Sequence, residues 1–230
     1  MGKSLMFFAC VLLSACAPAP NTDWFPLQAG FTQTYGVTWL REGERQQAVW
    51  TQRVGASREW RDDTVWPRRH SEGVTFWLQA DARGIRRVAT QADIDRGLHA
   101  ETEERWVLKA PYVEGTAWTQ LTVPYLLEQE WATPKQLKHS KRMYMSWRIA
   151  AVDDSVTVPA GKFSPCLRVE GKANLTLYVN PELRFQDVPV LSTEWYCQGH
   201  GLVKWTRREV VPKGFFQGGE VVAELLGEAR

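Results

Sequence analysis

From Thr32 onward, hydrophobic and polar positions alternate with a period of two. Tyr35, Val37 and Trp39 alternate with Thr34, Gly36 and Thr38, as expected for a half-buried strand whose successive side chains face opposite sides. Residues 41–44 read as a turn and 46–53 as the returning strand. Val74, Phe76 and Leu78 alternate with Thr75, Trp77 and Gln79, and Asp81-Ala-Arg-Gly84 turns the chain into a strand over 85–89. The longest clean alternation sets Met143, Met145, Trp147 and Ile149 against Arg142, Tyr144, Ser146 and Arg148. Further strands are predicted at 166–170, 175–179, 195–197 and 202–207, with 221–226 either a strand or a short helical tail. Helical signals are thin: 91–96 and 125–130 could each form a turn or two. The pattern predicts one all-β or mainly β domain over 24–230, an antiparallel sheet forming a sandwich or incomplete barrel, with little helix outside the N-terminal segment.

Composition agrees with this picture. The 230 residues are 44% hydrophobic and 23% charged, enough apolar material for a sizeable core. Twelve tryptophans suit a pleated, half-buried surface. A net charge of +2 gives no reason to expect a polyanion, so no nucleic-acid partner is expected.

The first residues follow a different pattern. Lys3 precedes an uninterrupted apolar run over 5–13, followed by Ser14, Ala15 and Cys16. A membrane-spanning helix needs about 20 residues, so the run is too short to span. It fits the apolar centre of a signal peptide over 1–15 better than a buried core helix. Leu13-Ser14-Ala15-Cys16 resembles the lipobox of bacterial lipoproteins, in which the cysteine becomes the mature N-terminus and carries acyl chains such as palmitate. The alternative is ordinary signal cleavage after Ala17 or Ala19. The resemblance implies lipidation at Cys16, membrane attachment through it, and a place in the bacterial cell envelope. Ala17 stands where enterobacterial relatives retained at the inner membrane carry Asp, which implies the outer membrane, facing the periplasm. Residues 16–23 then form a Pro-rich tether reaching at most about 25 Å.

Of the four cysteines, Cys10 leaves with the signal and Cys16 would be acylated, so Cys166 and Cys197 remain. In an oxidising compartment the expectation is a disulfide between them. Closing a loop of roughly 30 residues would stabilise the fold by about 3–4 kcal/mol. Two free thiols are the first alternative. The second is a metal site from Cys166, Cys197 and His200, which lacks a fourth ligand in the sequence. No metal or cofactor is expected.

Three segments resemble a group of uncharacterised secreted β-rich bacterial proteins. They are Phe25-Pro26-Leu27-Gln28-Ala29-Gly30 with Tyr35 and Trp39, Val158-Pro159-Ala160-Gly161-Lys162-Phe163 with the strand at Cys166, and the stretch from Trp195 to Lys204. Gln33 stands where that opening usually carries an aromatic. The resemblance implies a fold and no activity. Read from the residues alone, Pro159 and Gly161 set a tight turn, and Gly199 and Gly201 supply permissive backbone around His200.

Catalytic signatures are not apparent. The sequence lacks Gly-x-Ser-x-Gly, Ser-x-x-Lys, His-Glu-x-x-His and any phosphate-cradling glycine loop. Asp62-Asp63 and Asp153-Asp154, in turn-like contexts, would point to opposite faces if extended, so neither makes an acid–base dyad. No catalytic residue is therefore assigned. The candidate binding surface is Trp60, Trp66, Arg68 and Arg69, where interleaved Trp and Arg could stack on sugar rings or meet an anionic membrane. The competing reading places the tryptophans in the core beneath arginine stems. Together these features favour a non-enzymatic, membrane-anchored module that binds another envelope protein, lipid or glycan, or supports an assembly. A rival is a carrier holding a lipid or acyl chain in a half-barrel cavity. A third reading is a hydrolase uniting His200 or His139 with a carboxylate in a pocket. The stripe Met143, Met145, Trp147 and Ile149 separates the first two, as packed core in a scaffold and as cavity lining in a carrier.

Overall fold

The structure is a computed structural model and describes residues 21–41, 43–129, 142–182, 184–209, 211 and 216–230. The signal segment, Cys10, Cys16 and His139 lie outside the described residues, as does all of the tether before Asn21.

The alternation of the sequence is realised as strands. In chain order these are β1 (Thr32–Arg41), β2 (Glu44–Val54), β3 (Arg58–Trp60), β4 (Asp63–His70), β5 (Val74–Asp81), β6 (Gly84–Ala92), β7 (His99–Lys109) and β8 (Ala117–Thr122). They continue with β9 (Glu128–Gln129), β10 (Met143–Val158), β11 (Gly161–Asn180), β12 (Arg184–Cys197), β13 (Gly201–Glu209), β14 (Phe216–Gln217) and β15 (Gly219–Ala229). All pairings are antiparallel. The main sheet runs β7-β6-β5-β4-β2-β1-β15-β13-β12-β11-β10-β8, with β3 pairing β4 off this path and β9 pairing β14 separately. Its two ends approach each other, so the sheet is nearly closed as a barrel with one open seam between β7 and β8. The Arg105 guanidinium of β7 donates to the Leu121 carbonyl of β8 across that seam. Among the described residues, no helix is long and apolar enough to cross a membrane.

Both helical expectations give way to extended chain. At 91–96, β6 continues to Ala92, whose amide then donates to Asp95 Oδ2 at 2.8 Å, closing a side-chain-capped turn. At 125–129, the amides of Tyr125, Leu126 and Leu127 donate to the Glu209 carboxylate, a distant partner that no local pattern reveals. Segment 221–226 lies in β15 between β1 and β13, with Val221, Ala223 and Leu225 buried in strict alternation. Asp153 and Asp154 lie within β10 and not in a turn. The turns at 159–160 and 198–200 fall where Gly161, Gly199 and Gly201 adopt positive φ angles of 135°, 77° and 79°.

The barrel is unevenly filled. On the β10–β12 side, Met143, Met145, Trp147 and Ile149 pack with Leu167, Val169, Leu175, Leu177, Val188 and Val190 in one buried cluster. Gly171 is required there, because a Cβ would stand 2.7 Å from Trp147 Cε3 and 2.9 Å from Met145 Sδ. Cys166 and Cys197 sit directly opposite each other on β11 and β12 and are joined by a disulfide.

Candidate functional site

Beside that packed half, the interior opens into a cavity of about 580 Å³. This lies within the ~300–1,000 Å³ usual for ligand pockets. The lining comes from β1, β2, β4–β8, β10, β12, β13 and β15, together with Phe25 and the segment at Tyr125 and Leu126. Of the Met–Trp stripe, Trp147 alone reaches it, so the stripe is packed core and the cavity lies beyond it.

Period-two geometry builds the apolar wall. Trp39 of β1 and Trp50 of β2, offset in the register with Trp50 opposite Tyr35, meet edge to face with ring centroids 5.4 Å apart, and Trp205 of β13 stacks on Trp50 at 6.3 Å. His70 closes on the other side of Trp50 at 5.1 Å. Its Nδ1 accepts the Glu72 amide, and burial holds its pKa below the usual value, so the ring is neutral near pH 7. Phe76 and Leu78 of β5 extend this wall.

The polar part is buried as deeply. Gln33 donates from Nε2 to the carbonyls of His200 and Leu202 at 2.9 and 3.2 Å, which directs its Oε1 toward Arg68. Arg68 Nη2 donates to that oxygen at 2.7 Å, and the guanidinium lies 4.4 Å over the Phe25 ring. Tyr35 donates to the Leu202 carbonyl at 2.6 Å, and burial pushes its pKa up to about 12. From β12, Glu194 projects into the lining, and Tyr196 lies within hydrogen-bond distance of both Glu194 Oε2, at 2.6 Å, and the Val107 carbonyl, at 3.2 Å. One hydroxyl proton serves only one acceptor. The shorter contact takes the proton, so Tyr196 donates to Glu194 Oε2 and the Val107 carbonyl is the secondary neighbour. Burial, outweighing the Tyr196 hydrogen bond and the Arg207 charge, raises the Glu194 pKa to about 7.

A third group straps the segment at 123–127 into the barrel. Arg207 and Glu209, both buried on β13, pair at 2.6 Å. Arg207 also donates to the Val123 carbonyl at 2.8 Å and lies 4.0 Å over the Tyr125 ring, while Glu209 takes the three amides at 125–127. At the seam, Arg87 and Arg105 share one carboxylate, Glu101, at 2.6 and 3.3 Å.

The four residues of the expected binding surface do not share a face. Trp66 packs against the main core, and Arg68 is buried in the cavity lining. Arg69 points outward and pairs with Asp93 at 2.7 Å. Trp60, on β3, covers an outer cluster of Val65, Trp77 and Ala89, with Arg61 4.5 Å over its ring. Alternation along β4 carries a usable signal, because Arg68 is two residues from Trp66 and one from Arg69. The partners Gln33, Tyr35, Glu194 and Tyr196 come from other strands, and nothing local links them to Arg68. His200 Nδ1 lies 2.9 Å from Glu228 Oε1, but neither residue lines the cavity. Among the described residues, no three His, Cys, Asp or Glu side chains gather as a metal site.

No family model matches the chain, and no curated protein matches it. Among solved structures it is similar to a Bacteroides fragilis protein described as exported, with a YmcC-like fold, at 16% identity, covering 94% of this chain and 100% of that one with a TM-score of 0.40. It is also similar to a Parabacteroides distasonis protein described as a lipoprotein, at 13% identity, covering 90% and 98% with a TM-score of 0.42.

Proposed function

We propose that this chain is a lipid-anchored cell-envelope protein, outer-membrane and periplasm-facing, whose barrel holds a small amphipathic ligand as a non-enzymatic carrier. The observation that carries this is the 580 Å³ interior cavity beside an otherwise packed core. The cavity opens partly to solvent, and its size within the range of ligand pockets, with aromatic and buried polar lining, supports a binding site. The wall of Trp39, Trp50 and Trp205 offers apolar surface and ring faces, and the buried polar groups offer orientation. The lipobox residues support the anchor. Replacing Cys16 with Ala should abolish acyl labelling and release the protein from membranes, and unchanged labelling would remove the anchor from this account.

Carriage itself is tested by mass spectrometry of organic extracts of the protein purified from its membrane. A small molecule should accompany it stoichiometrically, and an extract empty of any such molecule at every preparation would count against a carrier. A scaffold role keeps two observations in its favour: the stripe Met143, Met145, Trp147 and Ile149 is packed core, as expected of a scaffold, and an aromatic pair is exposed. Tyr178 and Phe185, paired across β11 and β12 with rings 5.4 Å apart, are 52% and 67% exposed. Crosslinking from that pair to a defined envelope protein, with no ligand in the extract, would favour the scaffold.

A further inference from the structure

The arginines of the cavity lining are not equivalent. Arg87 and Arg105 have Glu101, and Arg207 has Glu209. Arg68 is only 6% exposed and forms no ion pair among the described residues. Its hydrogen-bond partners are neutral: Gln33, and the Tyr35 hydroxyl, whose burial keeps it protonated. Gln33 cannot be replaced in this role by its own amide nitrogen, which is committed to two carbonyls. Glu194, the carboxylate projecting from β12, is engaged by Tyr196.

A buried, unpaired cation is expensive, and proteins rarely keep one without a counter-charge. The unpartnered buried atoms of the lining lean the same way. Besides Arg105 Nε, which lies 3.3 Å from Glu101 Oε2, Arg68 Nε and Trp147 Nε1 are donors without acceptors, against a single such acceptor whose donor is missing, Gln120 Oε1. The lining therefore gives Arg68 no ion partner, since its carboxylates Glu72 and Glu194 lie against His70 and Tyr196, and it leaves space beside the tryptophan wall. A guanidinium presents a planar fork of donors that matches a carboxylate or phosphate.

We propose that Arg68 receives the anionic head group, carboxylate or phosphate, of an amphiphile whose apolar part lies along Trp39, Trp50 and Trp205. This rests on the carrier reading above. Gln33 and Phe25 act as positioning residues, holding the guanidinium at the cavity wall.

The test is equilibrium binding of radiolabelled octanoate, octyl phosphate and octanol to the full chain in phosphatidylcholine vesicles, with protein-free vesicles as the blank. The two anions should bind at least about tenfold tighter than the alcohol. Whichever anion binds tighter identifies the head group as carboxylate or phosphate. Arg68→Gln should abolish that preference while retaining octanol binding, and Arg68→Lys should keep part of it. Inorganic phosphate should not displace either anion. Octanol binding as tightly as the anions, or a preference that persists in Arg68→Gln, would overturn the assignment to Arg68 and leave the carrier standing. Displacement by inorganic phosphate alone would reduce the site to an ion site and overturn the amphiphile. Binding of none of the three would overturn the carrier and the head-group site together. The comparison of the three probes in the unaltered protein holds even if an Arg68 variant fails to fold.

Discussion

Gln33 and Arg68 meet inside the barrel with the guanidinium donating to the amide oxygen at 2.7 Å, joining β1 to β4 across the intervening strand β2. Gln33 is 1% exposed, and it serves three groups at once: Arg68, the His200 carbonyl in the turn before β13, and the Leu202 carbonyl in β13. Gln33→Leu would leave a buried guanidinium and two carbonyls short of partners. The expected cost is about 2–4 kcal/mol, read as a lower urea midpoint with an unchanged slope. A midpoint equal to that of the unaltered protein would show that water replaces the amide at no cost.

Glu194 sets a pH dependence whose sign follows from its raised pKa. The folded state binds its proton up to about pH 7, whereas the unfolded chain releases it near 4.5. Over that window the folded state holds more protons, so its stability falls as pH rises, by up to about 3 kcal/mol. His70, held neutral by burial, acts in the opposite direction over overlapping pH, so the raw profile mixes the two. The difference between the unaltered protein and Glu194→Gln, measured by urea unfolding from pH 4.5 to 8, isolates Glu194. A difference that does not change with pH would place that carboxyl in an ordinary aqueous setting.

Uneven filling of the barrel makes a paired prediction. Gly171→Ala adds one methyl where Trp147 and Met145 already crowd the site, and should cost about 1–3 kcal/mol. Val74→Trp adds an indole on the cavity side and should change stability by no more than about 1 kcal/mol while excluding ligand. Thermal unfolding of the two variants should therefore invert the usual expectation that the larger insertion hurts more. Equal or reversed damage would mean that the cavity is not available space.

Glu209→Gln probes the strap at 123–127. It leaves Arg207 buried without its carboxylate and weakens the acceptor of three amides. Stability should fall by about 3–5 kcal/mol. Limited proteolysis should also become faster at Tyr125–Leu127 than elsewhere in the chain. Uniform cleavage would show that the strap is held by Leu126 and Leu127 burial alone.

Much of the β architecture was legible because it is local. Tyr35-Val37-Trp39 and Met143-Met145-Trp147-Ile149 declare their buried faces by period alone, and the Cys166–Cys197 pairing followed from compartment and count. What was illegible depends on closure. Alternation cannot distinguish a sheet that packs against another layer from one that curls to meet itself, so the cavity had no sequence signal. At 125–127, the apolar pair Leu126-Leu127 beside acidic residues imitates a helix start, because the deciding partner, Glu209, lies more than 80 residues away. Arg68 and Arg69 look alike in composition, yet one strand step separates a buried cation from an exposed ion pair.

The amide of Gly199 donates to the Asp23 carbonyl at 2.7 Å, pinning the entry of the chain to the turn between β12 and β13. A protein held to a bilayer through Cys16 would therefore be moored by that rim. The fourteen residues of β12 rise roughly 35 Å along the barrel axis at a typical strand tilt of about 40°. Tyr178 and Phe185, at the far end of the β11–β12 hairpin, would then face away from the anchoring leaflet, like the working end of a moored crane. With that anchor, whatever those rings meet would come from across the aqueous gap and not from the lipid that would hold Cys16.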